Sequence, residues 1–280
     1  MADKQKQEVG NGALALQAGG DIKIGMSFTE VEHLFTVLFE NNFPKLQEVA
    51  ARTAQDNVVK FVDGLKEIFV ANSSRIDLNK IADPDVQYMF NGIIEASARK
   101  GCKVNPELLS ELVVQRLSND STEIMNIVCS EAAGVISKLS KEQIALMTLC
   151  QFVSNVTFTE FNHVLRFEPF GILIEPLVNP CKGISETSIE FLTYAGILSI
   201  STILGSDIYA SIGRYYKFLN GKSETDVKQE FERFAPVYNR IIDLYNTYKV
   251  YQMSLTAVGK MIALANIKRV LPIDYKVWIK

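Results

Sequence analysis

A succession of helix starts, each a Ser, Asp or Asn placed just before apolar residues spaced three and four apart, limits what this chain can fold into. Ser27-Phe28-Thr29-Glu30 has the form of a capping box, in which the serine oxygen accepts from the Glu30 N–H and the glutamate reaches back. Asp83-Pro84 and Asn105-Pro106 each place an Asx residue at the N-cap and proline at the first helical position. Asp120-Ser121-Thr122-Glu123 and Ser140-Lys141-Glu142-Gln143 repeat the signal. Behind these starts run apolar stripes: Val31, Leu34, Phe35 and Leu38; Val58, Phe61, Leu65 and Ile68; Met89, Phe90, Ile93 and Ile94; Ile124, Ile127, Val128, Val135 and Ile136. Stripes of that width bury against other helices, and short connections favour antiparallel neighbours, so the chain is expected to be mainly α, an antiparallel helical bundle.

One stretch breaks the pattern. Leu14, Leu16 and Ala18, then Ile22 and Ile24, alternate with small or polar residues on either side of Gly19-Gly20. That is the period-2 signal of a β arm or hairpin with a tight glycine turn. A lone hairpin is marginal in water, so the arm is expected to lie on another surface, and Leu14, Leu16, Gln17, Gly19, Gly20, Asp21, Ile22 and Ile24 are candidate oligomerisation residues of a homo-oligomer.

Punctuation divides the rest. Residues 1–25 read as a flexible N-terminus and β arm, 26–154 as the helical bundle and 155–280 as a mostly helical C-terminal domain with a few short strands. The seam is placed in the run between Asn155 and Ser185, where Pro169, Gly171, Pro176, Pro180 and Gly183 suggest short helices and loops. Ser185 to Tyr194 reads as a helix closed by Ala195-Gly196, Ile197 to Ile203 as a strand, and Pro236 as a break in the helical region from Ser223 to Lys249. A helix is expected from Thr256 to Lys268 and a strand from Tyr275 to Ile279.

Composition narrows the functional classes. The net charge of -3 gives no bulk attraction for nucleic acid or anionic membrane. A local basic patch, Lys260, Lys268, Arg269 and Lys276 near Trp278, is the alternative route to nucleic acid. The four cysteines, Cys102, Cys129, Cys150 and Cys181, have no C-x-x-C spacing and read as buried reduced thiols of a cytoplasmic protein. Met1 to Val9 lacks the apolar core of a signal peptide. The apolar window Phe191 to Gly205 is shorter than the ~20 residues a spanning helix needs, so a buried helix-turn-strand is expected, with a membrane-inserting segment as the alternative.

Chemistry-bearing residues are sparse. His33 and His163 stand apart, the first as a boundary residue and the second as a helical partner of Glu160. Gly19-Gly20 lacks the lysine and hydroxyl residue of a phosphate loop, and no nucleophile elbow is present. Glu131 falls near an apolar stripe, where burial would raise its pKa; snorkelling to water is the competing reading. No catalytic residue, cofactor site or metal site is assigned.

The motifs Gln17-Ala18-Gly19-Gly20-Asp21-Ile22, Met26-Ser27-Phe28-Thr29-Glu30-Val31, Leu255-Thr256-Ala257-Val258-Gly259 with Ile262-Ala263 and Ala265-Asn266, and Trp278-Ile279 resemble those of an uncharacterised family of bacterial cytosolic proteins. More distantly, Asp85 to Leu146, with the helix start Leu139-Ser140-Lys141-Glu142-Gln143-Ile144, is similar to the Abi-alpha (abortive infection) family. Phe191 to Leu198 together with Leu255-Thr256 and Gly259 looks like the recognition helix and following helix of a winged helix, separated here by about fifty inserted residues. The resemblance implies a C-terminal degenerate winged-helix-like unit behind the bundle. The helix from Glu186 to Ala195 holds two glutamates and neither lysine nor arginine, which argues against phosphate contact. The expected function is therefore non-catalytic: oligomerisation and protein–protein interaction, by family analogy in phage defence, with the protein partner unknown. A nucleic-acid-binding regulator using the basic tail, and a membrane-active effector, are the alternatives.

Overall fold

A computed structural model describes residues 28–42, 48–101, 105–201 and 208–279. The helices are α1 (Phe28–Asn42), α2 (Glu48–Ala71), α3 (Pro84–Lys100), α4 (Pro106–Leu117), α5 (Glu123–Ile136), α6 (Lys141–Asn155), α7 (Glu168–Val178), α8 (Glu186–Tyr194), α9 (Ile208–Tyr215), α10 (Glu224–Phe234), α11 (Pro236–Thr247) and α12 (Ala257–Lys268). Two short strands, β1 (Leu198–Ile200) and β2 (Met253–Leu255), pair antiparallel with Leu198 opposite Leu255. The protein is mainly α, as the capping pattern predicts. The β arm and the Ser27 cap fall outside the described residues.

Local chemistry explains the boundaries. Asp83 Oδ1 accepts from the Asp85 N–H at 2.9 Å beside Pro84, and Asn105 caps α4 from a left-handed conformation with φ 55°. Ser140 and Gln143 form a reciprocal box, with the Ser140 N–H donating to Gln143 Oε1 at 2.9 Å. At α5 the cap is Thr122, not Asp120: Thr122 Oγ1 accepts from the Met125 N–H at 3.3 Å. Pro236 ends the run from Ser223 as expected, with Ala235 standing between α10 and α11.

The buried side chains form one cluster from Val31 to Ile279. At one end α1 and α2 pack on α3, and the rings of Phe35 and Phe90 meet at 5.2 Å. Burying each such ring contributes about 2–3 kcal/mol. α12 lies against α4, α5 and α6, so a helix near the end of the chain completes the core of the earlier bundle. At the other end α11 packs on α6, α7 and α10.

The window from Phe191 divides into the end of α8, a turn at Gly196 with φ 69° and β1, and its Leu192, Ile197 and Leu198 are buried. Over residues 191–201 helix, turn and strand are the outcome expected, while the rest of the window and of the expected strand lies outside the described residues; among the described residues no helix is long and apolar enough to cross a membrane. Where β1 and α12 meet, Thr256 Oγ1 donates toward the Ile197 carbonyl at 3.0 Å and accepts from the Gly259 N–H at 3.4 Å. A Cβ on Gly259 would collide with that same carbonyl oxygen, so the close approach needs glycine.

Other expectations fail as well. Tyr275 to Val277 is a 3-10 turn, not a strand: Asp274 Oδ1 accepts from the Lys276 N–H at 3.0 Å and the buried Tyr275 ring anchors the turn. In α5, Ile124 and Ile127 are exposed, while Met125, Cys129, Ala132 and Ala133 face inward. The small residues let α12 approach, and Cys129 Sγ meets Met261 Sδ at 3.8 Å.

Candidate functional site

Two of the four residues of the predicted basic patch are engaged by neighbouring side chains. Lys268 Nζ donates to Glu111 Oε1 at 2.6 Å and lies 4.9 Å from the centre of the Tyr275 ring. Arg269 Nη1 donates to Asn266 Oδ1 at 3.1 Å. Lys276 is exposed on the 3-10 turn, and Lys260 is half-buried on the first turn of α12, about 12 Å along the helix from Lys268. The candidate arm residues, Leu14 to Ile24, lie outside the described residues.

The other sequence candidates have plain environments. His163 Nδ1 accepts from the Leu165 N–H at 3.0 Å, and its ring stands edge-on to Phe234 at 5.0 Å; it caps a 3-10 turn in place of pairing along a helix with Glu160. His33 and Glu131 are exposed. Burial pushes the Cys129 and Cys150 thiols up to about 12 and Cys181 to about 11.

The surface with the least conventional chemistry is α7, in the region that proline and glycine mark as a seam. Its entry is fixed by Phe167, which is buried among the rings of Phe158, Phe161, Tyr216, Phe231 and Tyr238 at 4.9–5.7 Å. Its inner face is Gly171, Ile174 and Val178. Gly171 permits the contact with α11, because a Cβ there would stand 2.6 Å from the Tyr238 backbone nitrogen. α11 opens on Pro236 with no side-chain cap of its own, and Glu168 supplies one, its Oε2 accepting from the Val237 N–H at 3.0 Å. One turn from the end of α7, Arg240 grips Glu175 with two hydrogen bonds of 2.7 and 3.0 Å, which hold the Glu175 carboxyl below the usual carboxylate range.

Clamped in this way, α7 turns an apolar stripe outward. Ile172 is 57% exposed and Leu173 42%, with Pro169 and Pro176 exposed on either side. Leu165, on the preceding turn, is 57% exposed. Spacing of 165, 169, 172, 173 and 176 aligns them along one side. The signal was present in the sequence: Phe170-Gly171-Ile172-Leu173-Ile174-Glu175-Pro176-Leu177-Val178 is apolar except at Glu175, so a helix there has more apolar faces than one neighbour covers.

Among the described residues no group of histidine, cysteine, aspartate and glutamate is placed to hold a metal ion. No curated protein and no solved structure matches the chain. The chain belongs to the protein family whose model matches it over residues 25–233 and 222–279.

Proposed function

We propose that this is a non-catalytic cytoplasmic protein that works by binding protein, first of all other copies of itself. The observation that carries the reading is the outward stripe of Leu165, Ile172 and Leu173 on a helix held rigid from behind, rimmed by the Arg240–Glu175 pair. Apolar residues in line on a fixed helix are a docking surface in kind, since rigid presentation lowers the ordering cost of association. Three buried cysteines without disulfides suit a reducing compartment. The arm expected from the sequence of residues 12–25 is the second contact proposed for the same assembly.

The similarity of Asp85 to Leu146 to the Abi-alpha family supplies a biological setting, phage defence. The nucleic-acid alternative is weakened by the commitment of Lys268 to Glu111.

Light scattering on the full chain, on Ile172→Asp/Leu173→Asp and on a chain lacking residues 1–25 tests the assembly. A mass above the 31.3 kDa of one chain is expected for the full protein, falling toward one chain in the charged variant. A full-length protein that stays monomeric throughout the micromolar range overturns self-association. Cells expressing the protein are expected to plate phage less efficiently than cells with an empty vector; equal plating removes the defence setting.

A further inference from the structure

A second feature lies where the loop after α6 meets the turn after α9. Phe158 and Phe161 on one side, and Tyr215, Tyr216 and Phe218 on the other, wall a cleft of about 360 Å³. That lies within the ~300–1,000 Å³ typical of small-ligand pockets. The walls are preformed. Buried Tyr216 accepts the Phe158 N–H on its hydroxyl at 3.1 Å, joining the two sides. Phe158 and Phe161 stack at 4.6 Å with planes 3° apart, and both stand edge-on to buried Phe167. Yet Phe158, Phe161 and Phe218 remain half-buried, and Tyr215 is 53% exposed, which leaves ring surface open in a cleft.

The charge on the rim is positive. Lys217 lines the cleft, and among the described residues no carboxylate lies within ion-pair distance of it or lines the cleft with it. Asn162 is held by Arg166, whose Nε donates to Asn162 Oδ1 at 3.2 Å; this orients the amide and leaves its NH₂ to donate to a ligand. Open ring faces, an oriented amide donor and a lysine without an acidic neighbour form a recognisable combination. We infer that this cleft binds a small planar aromatic molecule carrying an anionic group, its ring against the phenylalanine and tyrosine walls and its anion toward Lys217. Mononucleotides and aromatic carboxylates share that chemistry. The inference is independent of the α7 stripe.

The test is a fluorescence titration of the full chain with 1-anilinonaphthalene-8-sulfonate, an aromatic anion, followed by competition with AMP, indole-3-acetate, inorganic phosphate and laurate. Saturable binding at one site per chain is expected, displaced by AMP or by indole-3-acetate and not by phosphate. Which of the two displaces the probe identifies the source of the ligand. Lys217→Glu and Tyr215→Ala, both at exposed positions, are expected to weaken probe binding at least about tenfold with unchanged circular dichroism. Ile172→Asp/Leu173→Asp leaves binding intact, which separates the cleft from the α7 stripe. Non-saturable binding, affinity unchanged in both cleft variants, or displacement by laurate alone overturns the inference.

Discussion

Glu111 on α4 and Lys268 on α12 meet at 2.6 Å across 157 residues of sequence, with side chains only 18% and 15% exposed. The Tyr275 hydroxyl donates to the same Glu111 oxygen at 3.1 Å. A lysine that reads in the sequence as a phosphate contact is thus an internal tie between the early bundle and the last helix. Its partner offers an acceptor already shared with a buried phenol.

Removing one half of this tie strands the other. Lys268→Met leaves Glu111 with Tyr275 alone, and Glu111→Gln leaves a half-buried ammonium over the tyrosine ring. Each is expected to cost about 2–3 kcal/mol, below the range for a fully buried pair because both side chains retain some water. Paired replacement, Glu111→Gln with Lys268→Met, is expected to cost less than the two single losses added together. Urea denaturation of the four proteins measures this, and strictly additive losses would show that the two residues do not act on each other.

Much of the architecture was legible because caps are local: Asp83, Asn105 and Ser140 need only their own next turn to declare a helix. The face a helix buries is a different matter. In α5 the larger residues Ile124 and Ile127 suggest the inner face, but the approach of Met261 on α12 selects the face with Cys129, Ala132 and Ala133. That choice depends on a partner more than a hundred residues away. α7 shows the converse: Pro169 and Gly171 mark a seam by composition, whereas one opens a helix and the other permits contact with the Tyr238 backbone. Short helices and loops are legible there from composition, but the outward stripe depends on which face α11 covers. The cleft was hidden for a simpler reason, since its two walls come from segments more than fifty residues apart.

Glycines separate by what a methyl group would meet. At Gly171 an added Cβ presses on backbone, which cannot rotate away, so Gly171→Ala is expected to destabilise by about 1–3 kcal/mol. Gly92 and Gly134 lie inside α3 and α5 with open space around them, and alanine there is expected to stabilise by roughly 0.5–1 kcal/mol each. Thermal melts of the three variants check the sign as well as the size. A stable Gly171→Ala would mean that α7 and α11 are further apart than the structure places them.

The thiols set an alkaline limit. Cys129, Cys150 and Cys181 are buried and unbridged, and burial raises them from about 9 to about 12, 12 and 11. The unfolded chain releases these protons first, so the folded state binds more protons above pH 9. The stability tied to the neutral thiols is therefore complete below pH 9 and is lost as pH rises through the folded values. In a Cys102→Ser background, Ellman's reagent at pH 8 is expected to find no reactive thiol in the folded protein and all three in guanidinium. Rapid titration of a thiol in the folded state would place that cysteine at the surface.

Glu168 holds α7 and α11 together by acting as the cap that the methyl group of Ala235 cannot provide. Glu168→Ala leaves the Val237 and Tyr238 N–H groups without that acceptor and is expected to cost about 1–2 kcal/mol. Glu168→Gln keeps an acceptor oxygen but gives up the charge facing the helix N-terminus, a loss of about 0.3–1 kcal/mol at low salt that shrinks as salt screens it. Melts of both variants at low and high salt separate the hydrogen bond from the charge. Because the same residue begins α7, Glu168→Ala is also expected to speed amide exchange along both helices. A cost confined to α11, with exchange in α7 unchanged, would show that α7 is held by Phe167 and the Gly171 contact and does not depend on this carboxylate.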